Sequence, residues 1–88
     1  MSAYQIPTRP VRTEWIISRP AFRNGVEDVR AGRAPRFDEF SDDGWSYERG
    51  RLFAVLAPIS MPLKIDGKCN PKAVHLYEAA VRRGYIQP

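Results

Sequence analysis

Cys69 and His75 are the only thiol and the only imidazole in the 88 residues. A zinc site needs about four closely spaced thiolate, imidazole or carboxylate ligands, and a nucleophilic pair needs a base with its own orienting partner. His75 has Glu78 three residues on, which can tune a proton on the ring but supplies no nucleophile. Cys69 precedes a helix start, where a thiolate is favoured, yet no base is spaced to serve it. Asp38, Glu39, Asp42, Asp43 and Glu48 lack the regular oxygen spacing and fixed glycine of a calcium loop. No catalytic residue, metal site or cofactor is expected. The chain reads as one that binds rather than transforms.

Arginine is the side chain left to explain. Fourteen Lys and Arg stand against ten Asp and Glu, a formal charge of +4, and eleven of the fourteen bases are Arg. Residues 1–36 hold seven arginines and three acids, residues 37–48 hold five acids and no base, and residues 49–88 hold seven bases and two acids. The pattern is basic, acidic, basic. A guanidinium grips phosphate or carboxylate with two parallel hydrogen bonds and stacks on flat rings. Arg9, Arg12, Arg19 and Arg23 lie near Tyr4 and Trp15, and Arg30, Arg33 and Arg36 extend the strip. Such a strip can track a phosphate backbone while rings stack on unpaired bases. These seven arginines are the expected nucleic-acid contacts. Packing of Trp15, Phe22 and Trp45 into the core is the expectation for the aromatics.

Short helices must carry these groups. Residues 1–13, with Pro7 and Pro10 between arginines, read as an extended arm, because proline lacks the amide donor and forces its predecessor to extend. Trp15-Ile16-Ile17 reads as a brief strand or as an anchor of the arm. A first helix opens at Ser18-Arg19-Pro20, puts Phe22, Val26 and Val29 on one stripe with Glu27 and Asp28 off it, and stops at Gly32. A second runs from about Trp45 to Leu56 behind the capping oxygens of Ser41, Asp42 and Asp43. Gly25 and Gly50, each inside a helix, are expected to face one another at a close crossing. Asp66-Gly67 favours a tight hairpin turn. The third helix follows Asn70-Pro71 and closes at Gly84.

The fold class expected is therefore mainly α. Three short helices form one small domain over 14–88, behind an extended arm at 1–13, with a short two-stranded β element at the Asp-Gly turn. Its core is drawn from Trp15, Phe22, Val26, Trp45, Phe53, Leu56, Val74, Tyr77 and Val81. The 43% hydrophobic and 27% charged composition suits a globular chain, and no apolar run approaches the ~20 residues of a membrane span. A cytoplasmic protein with neither a membrane partner nor a secretory leader is expected. The small core makes a homodimer an option.

Residues 22–54 resemble the ribosome modulation factor family of small bacterial proteins. The matching positions are Gly25, the step Ala31-Gly32-Arg33, Pro35 with Phe37, and Tyr47 with Gly50 and Ala54. Val29 stands where that family tends to have another glycine, the loop is shorter and more acidic, and 58–88 has no counterpart. The resemblance implies a ribosomal-RNA contact around Arg23, Arg30 and Arg33. The expected function is thus a non-enzymatic RNA- or ribosome-binding accessory factor. The alternative is a phage or mobile-element inhibitor, resembling anti-CRISPR proteins, that blocks a nucleoprotein complex with Asp38, Glu39, Asp42 and Asp43.

Overall fold

Two glycines let two helices meet backbone to backbone. In a computed structural model, which describes residues 11–88, α1 (Thr13–Ser18) leads into α2 (Pro20–Arg30). A single 3-10 turn (Ser41–Asp43) then runs into α3 (Gly44–Leu56). The strands β1 (Lys64–Ile65) and β2 (Lys68–Cys69) form an antiparallel pair, and α4 (Pro71–Arg82) ends the order. A Cβ on Gly25 would strike the Tyr47 carbonyl and lie 2.9 Å from the Arg51 amide nitrogen. One on Gly50 would strike the Phe22 carbonyl. Neither position has room for a side chain, and α2 and α3 pack along each other there.

Each helix is bounded by the local chemistry its sequence offers. Pro20 and Pro71 occupy first turns, where a missing donor costs nothing. Asp43 caps α3 by accepting the Ser46 amide at 3.3 Å, and Asn70 caps α4 by accepting the Lys72 amide at 3.1 Å. Asn70 also donates to the Pro62 carbonyl at 2.9 Å, which ties the hairpin to the helix start. Both α2 and α4 end in a left-handed glycine, Gly32 at φ 71° and Gly84 at φ 78°. The following amides turn back, Arg33 to the Asp28 carbonyl at 2.8 Å and Tyr85 to the Ala80 carbonyl at 2.9 Å. In the hairpin, Asp66 and Gly67 both have positive φ (53° and 78°), the geometry of the tight turn expected there.

The core is a three-ring cluster with an aliphatic lid. Phe22 of α2, Phe53 of α3 and Tyr77 of α4 lie 5.6 to 6.4 Å apart between ring centres. Ile16, Ile17, Val26, Trp45, Ala73, Ala80 and Ile86 close around them. Ile86 reaches the interior because the Gly84 turn folds the chain end back over α4.

Several expectations are corrected. Among the described residues there are four helices rather than three, because Trp15-Ile16-Ile17 is helical and not a strand. In a strand Trp15 and Ile17 would share a face; in α1 the shared face is Thr13, Ile16 and Ile17, so Trp15 turns outward and is 42% exposed. Leu56 is also exposed, at the last residue of α3, while Val74 and Val81 sit half-buried at the rim. Asp28, read as lying off the apolar stripe, is fully buried. Arg9 and the arm as far as residue 10 lie outside the described residues.

Candidate nucleic-acid interface

The Gly32 turn fixes where the next arginines go. By returning the Arg33 amide to the Asp28 carbonyl, it carries residues 33–36 back over the end of α2. Arg33 Nη1 then donates to Asp28 Oδ1 at 2.7 Å. Arg36 grips the same carboxylate with two bonds, Nη2 to Oδ1 at 2.7 Å and Nε to Oδ2 at 2.9 Å. The Tyr47 hydroxyl adds a fourth donor to Oδ2 at 2.6 Å and accepts the Arg36 amide at 2.9 Å. Phe40 stacks on the Tyr47 ring at 4.6 Å, Phe37 meets it edge-on at 5.2 Å, and the Arg36 guanidinium lies over Phe40. The Arg36 bonds, with help from Tyr47 and Arg33, hold the Asp28 carboxyl well below the usual carboxylate range, although burial alone would push it up. The same contact raises the Arg36 guanidinium above its ordinary value.

Other arginines are committed in the same way. Arg19 Nε and Nη2 both reach Asp43 Oδ2 at 2.9 Å, and its guanidinium lies 4.9 Å over the Trp15 ring. Arg30 Nη2 donates to the Pro58 and Met61 carbonyls at 3.1 and 2.8 Å, which pins the loop after α3 to α2. Arg49 is buried, stacks 4.4 Å over Trp45, and bonds Glu48 at 2.9 Å. Of the arginines assigned to phosphate from the sequence, Arg19, Arg30 and Arg36 serve largely to hold the fold. Arg33 bonds Asp28 while its side chain stays about half exposed. Arg23 is exposed on α2, and Arg12 is exposed beside Glu14 at 3.7 Å.

The acidic band divides similarly. Asp43 is a helix cap and ion-pair partner, and Glu39 meets Arg36 at 3.1 Å, whereas Asp38 and Asp42 are exposed. These groups do not form one carboxylate face.

A different basic surface emerges at the C-terminal half. On α4, Ala73, Tyr77 and Ala80 face the core, which turns His75 and Arg82 to the opposite side and puts Lys72 on the flank; all three are exposed, as is Arg83 just past the helix. Lys64 and Lys68 of the hairpin are exposed just before the start of α4. None of these bases has a carboxylate partner among the described residues. Glu78, at the edge of this face, accepts from Thr13 Oγ1 at 3.1 Å and so docks α1 beside α4. The signal for this face was the spacing of Lys72, His75 and Arg82-Arg83 against Ala73, Tyr77 and Ala80.

Catalytic parts do not assemble among the described residues. His75 is solvent-exposed, Cys69 Sγ approaches only the Glu14 carbonyl at 3.5 Å, and no three potential metal ligands gather. No described helix is long and apolar enough to cross a membrane. The Tyr77 hydroxyl is buried with no hydrogen-bond partner among the described residues, and burial pushes its pKa up to about 12. Comparison with known protein families, curated proteins and solved structures yields no match to this chain.

Proposed function

We propose that this chain is a non-enzymatic accessory protein that binds RNA through phosphate contacts, with ribosomal RNA the first candidate. The observation that carries the reading is the outward face of α4. Arg82 and His75 lie on it, with Lys72 on its flank and Arg83 just past its end, all exposed and without a carboxylate partner among the described residues. Lys64 and Lys68 extend the positive charge beyond the helix start. A row of solvated cations on a rigid helix attracts a polyanion and releases its counterions on contact. The resemblance of residues 22–54 to the ribosome modulation factor family is the reason to try RNA first, although the contact it implies lies around Arg23, Arg30 and Arg33 and not on α4. In this reading Arg19, Arg30 and Arg36 mainly build the scaffold, and the C-terminal half supplies most of the phosphate contacts.

Binding of a fluorescently labelled ribosomal-RNA fragment, followed across a salt series, tests the proposal. The affinity should fall linearly on a log–log plot as salt rises. Replacing Lys72, Arg82 and Arg83 together by Gln should weaken binding and flatten the slope by about two to three. Exchanging Asp38 and Asp42 for Lys should leave binding unchanged or strengthen it. A complete lack of binding at about 50 mM salt, or an affinity indifferent to salt, removes the proposal.

A further inference from the structure

Trp15 is a large aromatic side chain that the core does not enclose. It is 42% exposed on α1, while its neighbours Ile16 and Ile17 are buried. The ring is nonetheless held. The Arg19 guanidinium covers it at 4.9 Å, and Arg19 is itself fixed by Asp43 at 2.9 Å. Asp43 in turn is the cap of α3. A chain of three contacts thus runs from a helix start in the centre of the fold to an indole at the surface. Two exposed arginines flank it, Arg12 just before α1 and Arg23 one helical turn beyond Arg19. The element that carries it is docked to α4 through Thr13 and Glu78.

We infer that Trp15 is a stacking platform for an unpaired base, and that the RNA taken by this protein is single-stranded at that point. The inference rests on the RNA-binding reading above and adds its ligand class. An indole partly open to solvent and fixed by a cation offers a flat, oriented surface without the entropy cost of ordering it on binding. A guanidinium on the opposite side of the ring strengthens the stack rather than competing with it. A base inside a duplex cannot reach such a ring, because both of its faces are already stacked; a splayed base can. Arg12 and Arg23, both exposed and near Trp15 in sequence, are the cations that would meet the phosphates beside that base.

Binding of a single-stranded oligouridylate and of an RNA duplex of equal charge distinguishes the outcomes, with wild type, Trp15→Phe, Trp15→Ala and the Lys72/Arg82/Arg83→Gln variant compared across the same salt series. Trp15→Ala should lower single-strand affinity about five- to a hundredfold, the range of one base–ring stack, and leave the salt slope and the duplex affinity unchanged. Trp15→Phe should recover most of the affinity while losing the quenching of indole emission that wild type shows on binding. A Trp15→Ala protein that binds the single strand like wild type, while the α4 variant is weakened, overturns the stacking platform and leaves RNA binding standing. Absence of binding to both RNAs by wild type overturns the two together.

Discussion

The Tyr47 hydroxyl donates a 2.6 Å hydrogen bond to the fully buried carboxylate of Asp28, across the crossing of α2 and α3. The same oxygen accepts the Arg36 amide, so one phenol joins two helices and a loop. Removing the hydroxyl while keeping the ring leaves the stacks with Phe37 and Phe40 in place. Tyr47→Phe should therefore cost about 1–3 kcal/mol, the penalty for a buried charged group that loses a donor. Tyr77→Phe is the counter-experiment. Its hydroxyl is buried without a partner among the described residues, so its removal should leave stability unchanged or raise it. Thermal melts of the two variants check the contrast; equal destabilisation would contradict the hydrogen-bond assignment.

Asp28 itself should dominate acid stability. Its folded-state pKa is depressed by Arg36, Tyr47 and Arg33 below the unfolded value of about 3.9. Depression means that the folded state holds the proton less tightly than the unfolded chain does. The stabilisation is fully present above the unfolded pKa and is lost as pH falls below about 4 towards the folded value. Asp28→Asn should be less stable than wild type by about 1–3 kcal/mol near neutrality, because the buried acceptor that Arg33, Arg36 and Tyr47 share loses its charge. Below about pH 4 the gap between the two proteins should narrow. Urea denaturation midpoints at several pH values measure this, and a gap independent of pH would be inconsistent with the buried carboxylate as the titrating group.

The two crossing glycines make a prediction of opposite sign to helix propensity. Alanine in an exposed helix is about 1 kcal/mol better than glycine. At Gly25 and Gly50 the added carbon would meet the backbone carbonyls of Tyr47 and Phe22, which cannot rotate away. Gly25→Ala and Gly50→Ala should each cost about 3 kcal/mol or more, enough to unfold a domain of this size. Far-ultraviolet circular dichroism settles the sign directly.

Much of this architecture was legible because it depends on local rules. Asn70-Pro71, Gly32, Gly84 and Asp66-Gly67 each need a backbone state that few residues supply, so those positions announced themselves. The close crossing was legible because a glycine inside a helix costs propensity and so points to a close approach, although Gly25 and Gly50 each meet the backbone of the other helix rather than each other. Trp15 was misplaced because a three-residue apolar run has no period; strand and helix send opposite residues outward, and only tertiary contact with α4 decides. Asp28 was misread because a charged residue beside an apolar stripe is ordinarily solvated. A signal was present all the same. A left-handed glycine at 32 requires residue 33 to return beside residue 28, so an arginine there was bound to find a carboxylate. Arg19 and Arg30 carried no such signal, since Asp43 and the Pro58 and Met61 carbonyls are distant in sequence. The exposed bases of α4 follow from the spacing of Lys72, His75 and Arg82 against Ala73, Tyr77 and Ala80.

Asp43 performs two tasks that substitution can separate. Its carboxylate caps α3 through the Ser46 amide and holds Arg19, which in turn covers Trp15. Asparagine is as good a cap as aspartate but carries no charge for Arg19. Asp43→Asn should thus cost little, within about 0.5 kcal/mol, because the ion pair is partly exposed and such pairs contribute about 0–1 kcal/mol. Asp43→Ala removes the cap as well and should cost about 1–2 kcal/mol. The emission of Trp15, read in a Trp45→Phe background so that no second indole contributes, provides the second readout. Both variants free the Arg19 guanidinium from its fixed position over the ring, so both should shift or broaden that emission alike, whatever their difference in stability. An unshifted emission in Asp43→Asn would mean that the guanidinium stays over the indole without its carboxylate partner, and the stacking would then be a property of the Trp15–Arg19 pair alone.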